Sequence, residues 1–394
     1  PNLPGLATFA GKVFHSARWD HEHDLTGRKV AVVGTGASAI QFIPQIAERV
    51  AQLRVFQRTA PWVLPKTSGL FTPTVLAARA VSRKQRANGA AGSPGPSYRA
   101  NRLAQRLARG FIYLYRELLV LGFRNPPIMR LLEVLSVLYM RFWIPDRALR
   151  AKLRPAYRLG CKRVLLSDDY IPALARPNVE VVTDSIREVR PGSIVTADGH
   201  EHAVDTLIFG TGYMVTHSAP YARHIRGSDG RSLADVWGGS PRAHVCTTVA
   251  GFPNLFILFG PNTGLGHTTI IHVIESQVEH IIDALRFMRK ENLAAVEPRR
   301  EAQDDFVARI DERLRGTVWN AGGCASYYLD ETGRNSSIWP DTTIAFRRRV
   351  ARFLPQEYVM HARAATSVER SVTAVSLGLP VAVAVAPSAA VASN

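Results

Sequence analysis

The feature that most constrains this chain is Gly34-Thr35-Gly36-Ala37-Ser38-Ala39, a GxGxxA turn set between an apolar run and an amphipathic one. Arg28 to Val33 reads as a buried strand, Ala39 to Gln52 carries apolar residues at helical spacing, and Leu53 to Gln57 reads as a second strand. A strand, turn, helix, strand unit of about 30 residues has the size of one βαβ crossover. Small residues in such a turn let the backbone approach a pyrophosphate at the helix N-terminus, so Gly34, Thr35, Gly36, Ala37 and Ser38 are candidate cofactor contacts. Gln41, in the first helical turn, either reaches the same phosphate or is a solvated helix residue. The choice of dinucleotide falls at the end of the second strand, where an acidic residue would accept from a ribose 2′-hydroxyl. That place holds Arg58 and Thr59, a guanidinium and a hydroxyl suited to the 2′-phosphate of NADP.

Composition narrows the classes left. With 394 residues, 46% of them hydrophobic, the chain can bury a real core in more than one domain. Its formal net charge of +17 is dominated by arginine, but those arginines fall in a helical middle region and in Arg347 to Arg349, so nucleic acid is not an expected partner. Three cysteines, Cys161, Cys246 and Cys324, stand far apart without CxxC or Cys/His spacing, which argues against a disulfide scaffold, a zinc site or a dithiol centre. The most apolar stretch, Phe111 to Ile144, is interrupted by Arg116, Arg124, Arg130 and Arg141 and cannot span a bilayer. No secretory signal is legible, and the cytoplasm is the expected compartment. A peripheral membrane contact through the basic helical region stays open.

The expected fold class is α/β, with two dinucleotide-binding, Rossmann-like doubly wound domains. Residues 1–25 form a linker, 26–65 and 160–205 an NADP-binding domain, and 66–159 a helical insertion broken at Gly89 to Pro96 and at Asn125 to Pro127. Residues 206–345 form the C-terminal return of a second domain, and 346–394 a basic tail expected to be disordered. Within the return, Thr206 to Gly210 and Leu255 to Phe259 read as buried strands. Thr268 to Met288 reads as a long helix with Ile271, Ile274, Val278, Ile281 and Leu285 on one face.

Just upstream of the glycine turn stands Phe9-Ala10-Gly11-Lys12-Val13-Phe14-His15-Ser16-Ala17-Arg18-Trp19-Asp20. With Phe9, Gly11, His15, Trp19 and Asp20 in place, it resembles the FxGxxxHxxxW(P/D) fingerprint of the Type I Baeyer–Villiger monooxygenases. The related flavin-containing monooxygenases, of the N,N-dimethylaniline type, usually carry Tyr or Phe where Trp19 stands. The resemblance extends to about residue 350, through Gln57 to Trp62, Gly160 to Arg163, Phe209 to Tyr213 and Gly333 to Ser336. It is nearest to the 4-hydroxyacetophenone monooxygenase group.

The resemblance implies an FAD- and NADPH-dependent enzyme that inserts one atom of O2 into a ketone, giving an ester or lactone. Arg163 would be its catalytic cation over the flavin, and Lys162 would help hold the NADP 2′-phosphate. Thr211 and Gly212, in a second ATG-type motif with Gly210 for its usual alanine, and Asn262, before the long helix, would lie against a cofactor. Asp205 either lies near a flavin chain or caps the strand. His15 would couple domain motion or serve as a packed hinge. A flavin-containing N- or S-monooxygenase acting on amines or sulfides is the alternative, and an inactive NADP-binding fragment a second. The family's first GxGxxG unit, which anchors FAD, has no counterpart ahead of Phe9, so the chain reads as N-terminally truncated and its activity alone as doubtful.

Overall fold

The computed structural model describes residues 2–66, 102–213, 220–363 and 382–385. The chain divides into two compact units. The first comprises residues 1–112, 129–159 and 163–213, and the second 113–128, 160–162 and 214–394.

The first unit contains β1 (Lys12–His15), β2 (Lys29–Val33), α1 (Ala39–Ile46), β3 (Gln52–Phe56) and β4 (Val63–Leu64). Next come α2 (Arg102–Arg124), which continues into the second unit, then α3 (Pro126–Trp143), α4 (Arg147–Lys152), β5 (Leu165–Leu166) and α5 (Tyr170–Leu174). The unit ends with β6 (Val179–Val182), β7 (Ile186–Arg190), β8 (Ser193–Thr196), β9 (Glu201–Ala203) and β10 (Thr206–Phe209). Five strands form one parallel sheet in the order β1-β10-β2-β3-β6. Ile40, Ile43 and Ile46 of α1 pack on Val30, Val32, Leu53 and Val55 on one face. Ile194 and Val204, from the antiparallel β7-β8-β9 meander and its exit, cover Ala31, Phe56, Leu207 and Phe209 on the other. A sheet covered on both faces explains why its strands read as continuous apolar runs rather than alternating ones. Each buried branched side chain contributes roughly 1.5–3 kcal/mol relative to exposure.

Two boundaries differ from expectation. β10 sits between β1 and β2, so residues 206–213 close the first unit's sheet rather than opening the second domain. Its start is pinned by Asp205, whose carboxylate accepts from the Lys29 N–H at 3.0 Å and the Thr206 hydroxyl at 3.0 Å, while its carbonyl accepts from Lys12. Asp205 therefore caps the strand. α1 stops at Ile46, where the expected helix ran to Gln52, because the chain must turn at residues 47–51 to enter β3 in parallel register with β2.

The second unit contains α6 (Leu233–Trp237), β11 (Leu255–Leu258), α7 (Ile271–Lys290), β12 (Leu293–Pro298), α8 (Arg300–Leu314) and α9 (Val318–Ala321). It continues with α10 (Thr343–Val350), β13 (Tyr358–Ala362) and β14 (Ala382–Val385). β12 pairs antiparallel with β13, and β11 pairs parallel with β14. Residues 346–363 of the tail expected to be disordered are instead ordered. Thr342 caps α10 through the Ala345 N–H, and fully buried Tyr358 anchors β13 beside Phe256 and Phe353. The rest of that tail, 364–381 and 386–394, and the expected break at Gly89 to Pro96 lie outside the described residues.

α7 also turns a different face inward. Val273, Gln277, His280, Ile281, Ala284 and Met288 are buried, while Ile271 is 59% exposed. The inner face carries polar Gln277 and His280, which a purely apolar pattern does not mark. Gln277 Nε2 donates to the carbonyls of Cys246 and Ile257, and its Oε1 accepts from the Phe259 N–H. Among the described residues no helix is long and apolar enough to cross a membrane.

Candidate functional site

The fingerprint forms a folded patch of the first unit. Phe14 packs edge-on against Trp19 at 5.2 Å, and Trp19 packs in turn on Phe42 of α1 at 5.1 Å. A Cβ on Gly11 would run into the Asp205 carbonyl oxygen and lie 2.7 Å from the Phe9 ring, so glycine is required where β1 meets the start of β10. His15 Nδ1 accepts from the Ala17 N–H at 3.0 Å, and its ring meets Tyr213 edge-on at 5.7 Å. Lys12 pairs with Asp20, and that bond first of all lowers the Asp20 pKa. Phe9, Gly11, His15, Trp19 and Asp20 thus fix the β1 strand beside the loop that follows β10.

The glycine turn lies at the carboxyl ends of β2 and β3, where doubly wound sheets bind ligands. Gly34 has a φ of 111°, and a Cβ there would run into the Gly210 carbonyl oxygen. Gly210 in turn faces Ala39, whose Cβ would lie 3.3 Å from a Gly210 Cβ, so a small residue is needed on both sides of this crossing. Gly36 is different. A Cβ built there meets nothing within 4 Å. Ser38 makes no side-chain capping bond at the head of α1, and among the described residues the N–H groups of Thr35 through Ala39 have no hydrogen-bond partner. Free N–H groups behind a glycine with open space make a cradle for an anion. The Thr35 hydroxyl donates to the Thr59 carbonyl at 3.3 Å, which ties the turn to the end of β3. Gln41 is not turned toward this space, since its amide donates to the Ala37 carbonyl at 2.7 Å.

Arg58 and Thr59 follow β3 and are exposed, and Arg58 has no ion-pair partner among the described residues. Thr211 and Gly212 are exposed after β10, on the loop whose Gly210 abuts Gly34. Arg163, two residues before β5, is exposed, and Lys162 is half-buried. Immediately before them comes a feature the cysteine spacing argued against: Cys161 and Cys324 form a disulfide across a separation of 163 residues. No local spacing can announce a pair so distant. It anchors the backbone one residue ahead of Lys162.

The second unit treats its own strand-to-helix loop otherwise. Asn262, with a φ of 58°, is 3% exposed. Its Nδ2 donates to the carbonyls of Asn335 and Ile338, at 2.9 and 3.1 Å, and its Oδ1 accepts from Arg334 Nη2 at 3.0 Å. The expected cofactor contact is therefore a side chain fully engaged within its own unit. Arg334 also donates from Nε to both oxygens of Asp311 at 2.9 Å and from Nη1 to the Pro241 carbonyl at 2.9 Å. Sequence reasoning marked Arg334 only as part of a motif, and Gln277 not at all; Asn262 and Arg334 stand 72 residues apart. A buried group nearby is also unmarked. Glu117 of α2 accepts from both the backbone N–H and the hydroxyl of Thr343, and His267 Nε2 lies 3.6 Å from its carboxylate. His267 is 3% exposed, neither ring nitrogen has a hydrogen-bond partner among the described residues, and burial lowers its pKa.

Known proteins resemble the chain over most of its length. Residues 1–86 match the model of a family described as flavin-binding monooxygenase-like. A Baeyer–Villiger monooxygenase of Streptomyces coelicolor is 46% identical over 91% of the chain and 66% of its own length. One of Pseudomonas aeruginosa is 43% identical over 91% and 64%. The chain thus spans just under two thirds of these relatives. An uncharacterized monooxygenase of Mycobacterium bovis is 33% identical over 93% of the chain and 69% of its own length. Among solved structures, a cyclohexanone monooxygenase of Rhodococcus bound to NADP+ superposes with a TM-score of 0.71 at 26% identity, over 92% of this chain and 72% of that one. A steroid monooxygenase bound to NADP gives the same values.

Proposed function

The chain belongs to the flavin-binding monooxygenase-like family, among its Type I Baeyer–Villiger members, and from that premise we propose that it carries the NADPH site and the catalytic arginine of a ketone monooxygenase. The reaction consumes a ketone, O2, NADPH and a proton, and yields an ester or lactone, NADP+ and water. The observation that carries the reading is the cradle in the first unit, with open space at Gly36 and, among the described residues, no partner for the N–H groups before α1 and no ion-pair partner for Arg58 at the end of β3. The relatives' named activity supplies the reaction class.

In this reading the N–H groups of residues 35–39 receive the pyrophosphate, and Arg58 and Thr59 take the 2′-phosphate. Trp19 and Phe14 hold β1, so that Tyr213 and the exposed Thr211 and Gly212 keep their place beside Gly34. FAD, when bound, supplies the redox chemistry and the activation of O2. Arg163, always charged, stabilises negative charge that develops on oxygen during insertion. The exposed guanidinium fits that task only once water is excluded around it, so substrate and cofactor must close over it.

The test is product formation from a ketone with NADPH and added FAD, followed by Arg163→Ala. Ester or lactone carrying one labelled atom from 18O2 is the expected product, and Arg163→Ala abolishes it while NADP affinity stays within about two-fold. Oxygenation of a thioether or amine without any ester would move the assignment to N- or S-oxygenation. Retained ester formation by Arg163→Ala would remove Arg163 from the mechanism.

A further inference from the structure

α3 is held to the first unit by one face. Met129, Ser136 and Met140 are buried, and the Ser136 hydroxyl donates to the Val63 carbonyl at 2.8 Å. The opposite face is apolar and open. Leu131 is 65% exposed, Val134 53%, Leu135 48%, Leu138 52% and Phe142 78%. They recur at helical spacing as one stripe roughly 16 Å long. Single exposed leucines need no explanation, but a continuous stripe does. The charges beside it have one sign. Arg130 and Arg141 are exposed near its two ends, whereas the only acid of α3, Glu133, pairs with Arg158 and is 15% exposed.

We propose that this face of α3 seats the protein on an anionic lipid surface, with the apolar stripe at the boundary between headgroups and acyl chains and the arginines on lipid phosphates. Two comparisons favour lipid. A second copy meeting this stripe about a two-fold axis would bring Arg130 and Arg141 together with their own copies, in a chain of formal net charge +17. α7 also exposes Ile271, Val278 and Ile282, but exposed Glu275 and Glu279 stand among them and an anionic surface would repel them. α2, taken by itself, repeats the α3 pattern. Phe111, Leu114, Leu118 and Leu121 are about half exposed, Arg109 and Arg124 are exposed, and its only acid, Glu117, is buried.

Co-sedimentation of the 394-residue chain with vesicles tests this, comparing phosphatidylcholine alone with phosphatidylcholine mixed with phosphatidylglycerol. Binding to the mixed vesicles is expected, at least ~10-fold weaker on phosphatidylcholine alone and weaker again at raised salt. Leu135→Glu with Phe142→Glu lowers it by roughly 10-fold or more, and Arg130→Glu with Arg141→Glu by roughly five-fold for each arginine. All four side chains are exposed, so far-UV circular dichroism should match the parent, and the arginine pair gives a second set that leaves the apolar stripe intact. No sedimentation with the mixed vesicles, or sedimentation indifferent to the Leu135 and Phe142 changes, overturns the proposal. So does a dimer that these changes dissociate in the absence of any vesicle binding. Neither flavin nor NADPH enters the assay, so its outcome is independent of the ketone monooxygenase reading.

Discussion

After β2 the chain enters α1 through residues 34–38, and after β11 it enters α7 through residues 259–270. Among the described residues the first loop leaves the N–H groups of Thr35 through Ser38 without a partner, and Gly36 faces open space. The second holds Asn262 by both ends of its amide, to Arg334 and to two backbone carbonyls, and Gln277 clamps the residues around Phe259. A loop that must receive a charged ligand keeps donors idle, at a stability cost that the ligand offsets on binding. A loop that must keep a difficult backbone shape, with φ of 57° at Phe259 and 58° at Asn262, consumes its polar groups internally. The two glycine-bearing loops therefore serve different ends, one binding and one bracing.

The sharpest way to break that contrast is Arg334→Ala. It strands the Asp311 carboxylate, the Asn262 amide oxygen and the Pro241 carbonyl, and should lower unfolding free energy by about 3–5 kcal/mol in urea titration. A loss below about 1 kcal/mol would mean that Asn262 is braced by its backbone partners alone. Acid should act about as strongly, and through the second unit. His244 and His280 are both lowered from 6.5 to about 4, first by burial. His280 is satisfied as a neutral ring, its Nδ1–H donating to the Arg352 carbonyl and its Nε2 accepting from the Tyr358 hydroxyl. His244 faces two acceptors, the Ala302 carbonyl and the Glu357 carboxylate, which favour a cation, but burial outweighs them and Arg349 beside Glu357 adds to it. The unfolded chain binds protons at these sites below about pH 6.5 and the folded one does not until about pH 4. Stability is thus fully present above pH 6.5 and falls as pH drops toward 4, by on the order of 2–3 kcal/mol for each histidine. A flat unfolding free energy between pH 7 and 4.5 would show that another group compensates.

Within the first loop, Gly34→Ala and Gly36→Ala should separate shape from binding. Gly34→Ala forces a left-handed alanine into the Gly210 carbonyl and should cost at least ~2 kcal/mol. Gly36→Ala meets no atom of the chain and should leave stability within about 0.5 kcal/mol, while its methyl intrudes on the cradle and weakens NADPH binding by roughly 10-fold or more. Unchanged NADPH affinity would empty the cradle of its proposed role. The smallest effect on folding belongs to Arg58→Ala, within about 0.5 kcal/mol, yet it should weaken NADPH by roughly 10–100-fold and leave NADH alone. Isothermal titration with both dinucleotides reads the difference directly.

What was legible in the sequence follows from distance along the chain. The GxGxxA turn, the strands around it and the fingerprint are written as short contiguous motifs and could be read, although the atoms that exclude a Cβ at Gly11 and Gly34, the carbonyl oxygens of Asp205 and Gly210, lie far along the chain. The pairing of Cys161 with Cys324 and of Asn262 with Arg334 joins residues far apart in number, and neither leaves a periodic trace. α7 misled for a second reason. Its inner face buries Gln277 and His280 with all their hydrogen bonds met, so hydrophobicity alone pointed to the wrong side. Gln41 was undecidable in sequence because an amide one turn into a helix can cap its own backbone as readily as a phosphate, and here it bonds Ala37.

The place of β10 between β1 and β2 has a consequence in time. During synthesis β1 emerges first, β2 and β3 can pair soon afterwards, but β1 has no neighbour in the sheet until residues 206–209 leave the ribosome. The stretch from Phe9 to Asp20 thus leaves the ribosome before the other strands of its sheet and is the last of them to be fastened. A nascent chain halted before Thr206 would hold β2, β3 and β6 in register with an open edge at β2, a surface that invites mispairing or a chaperone.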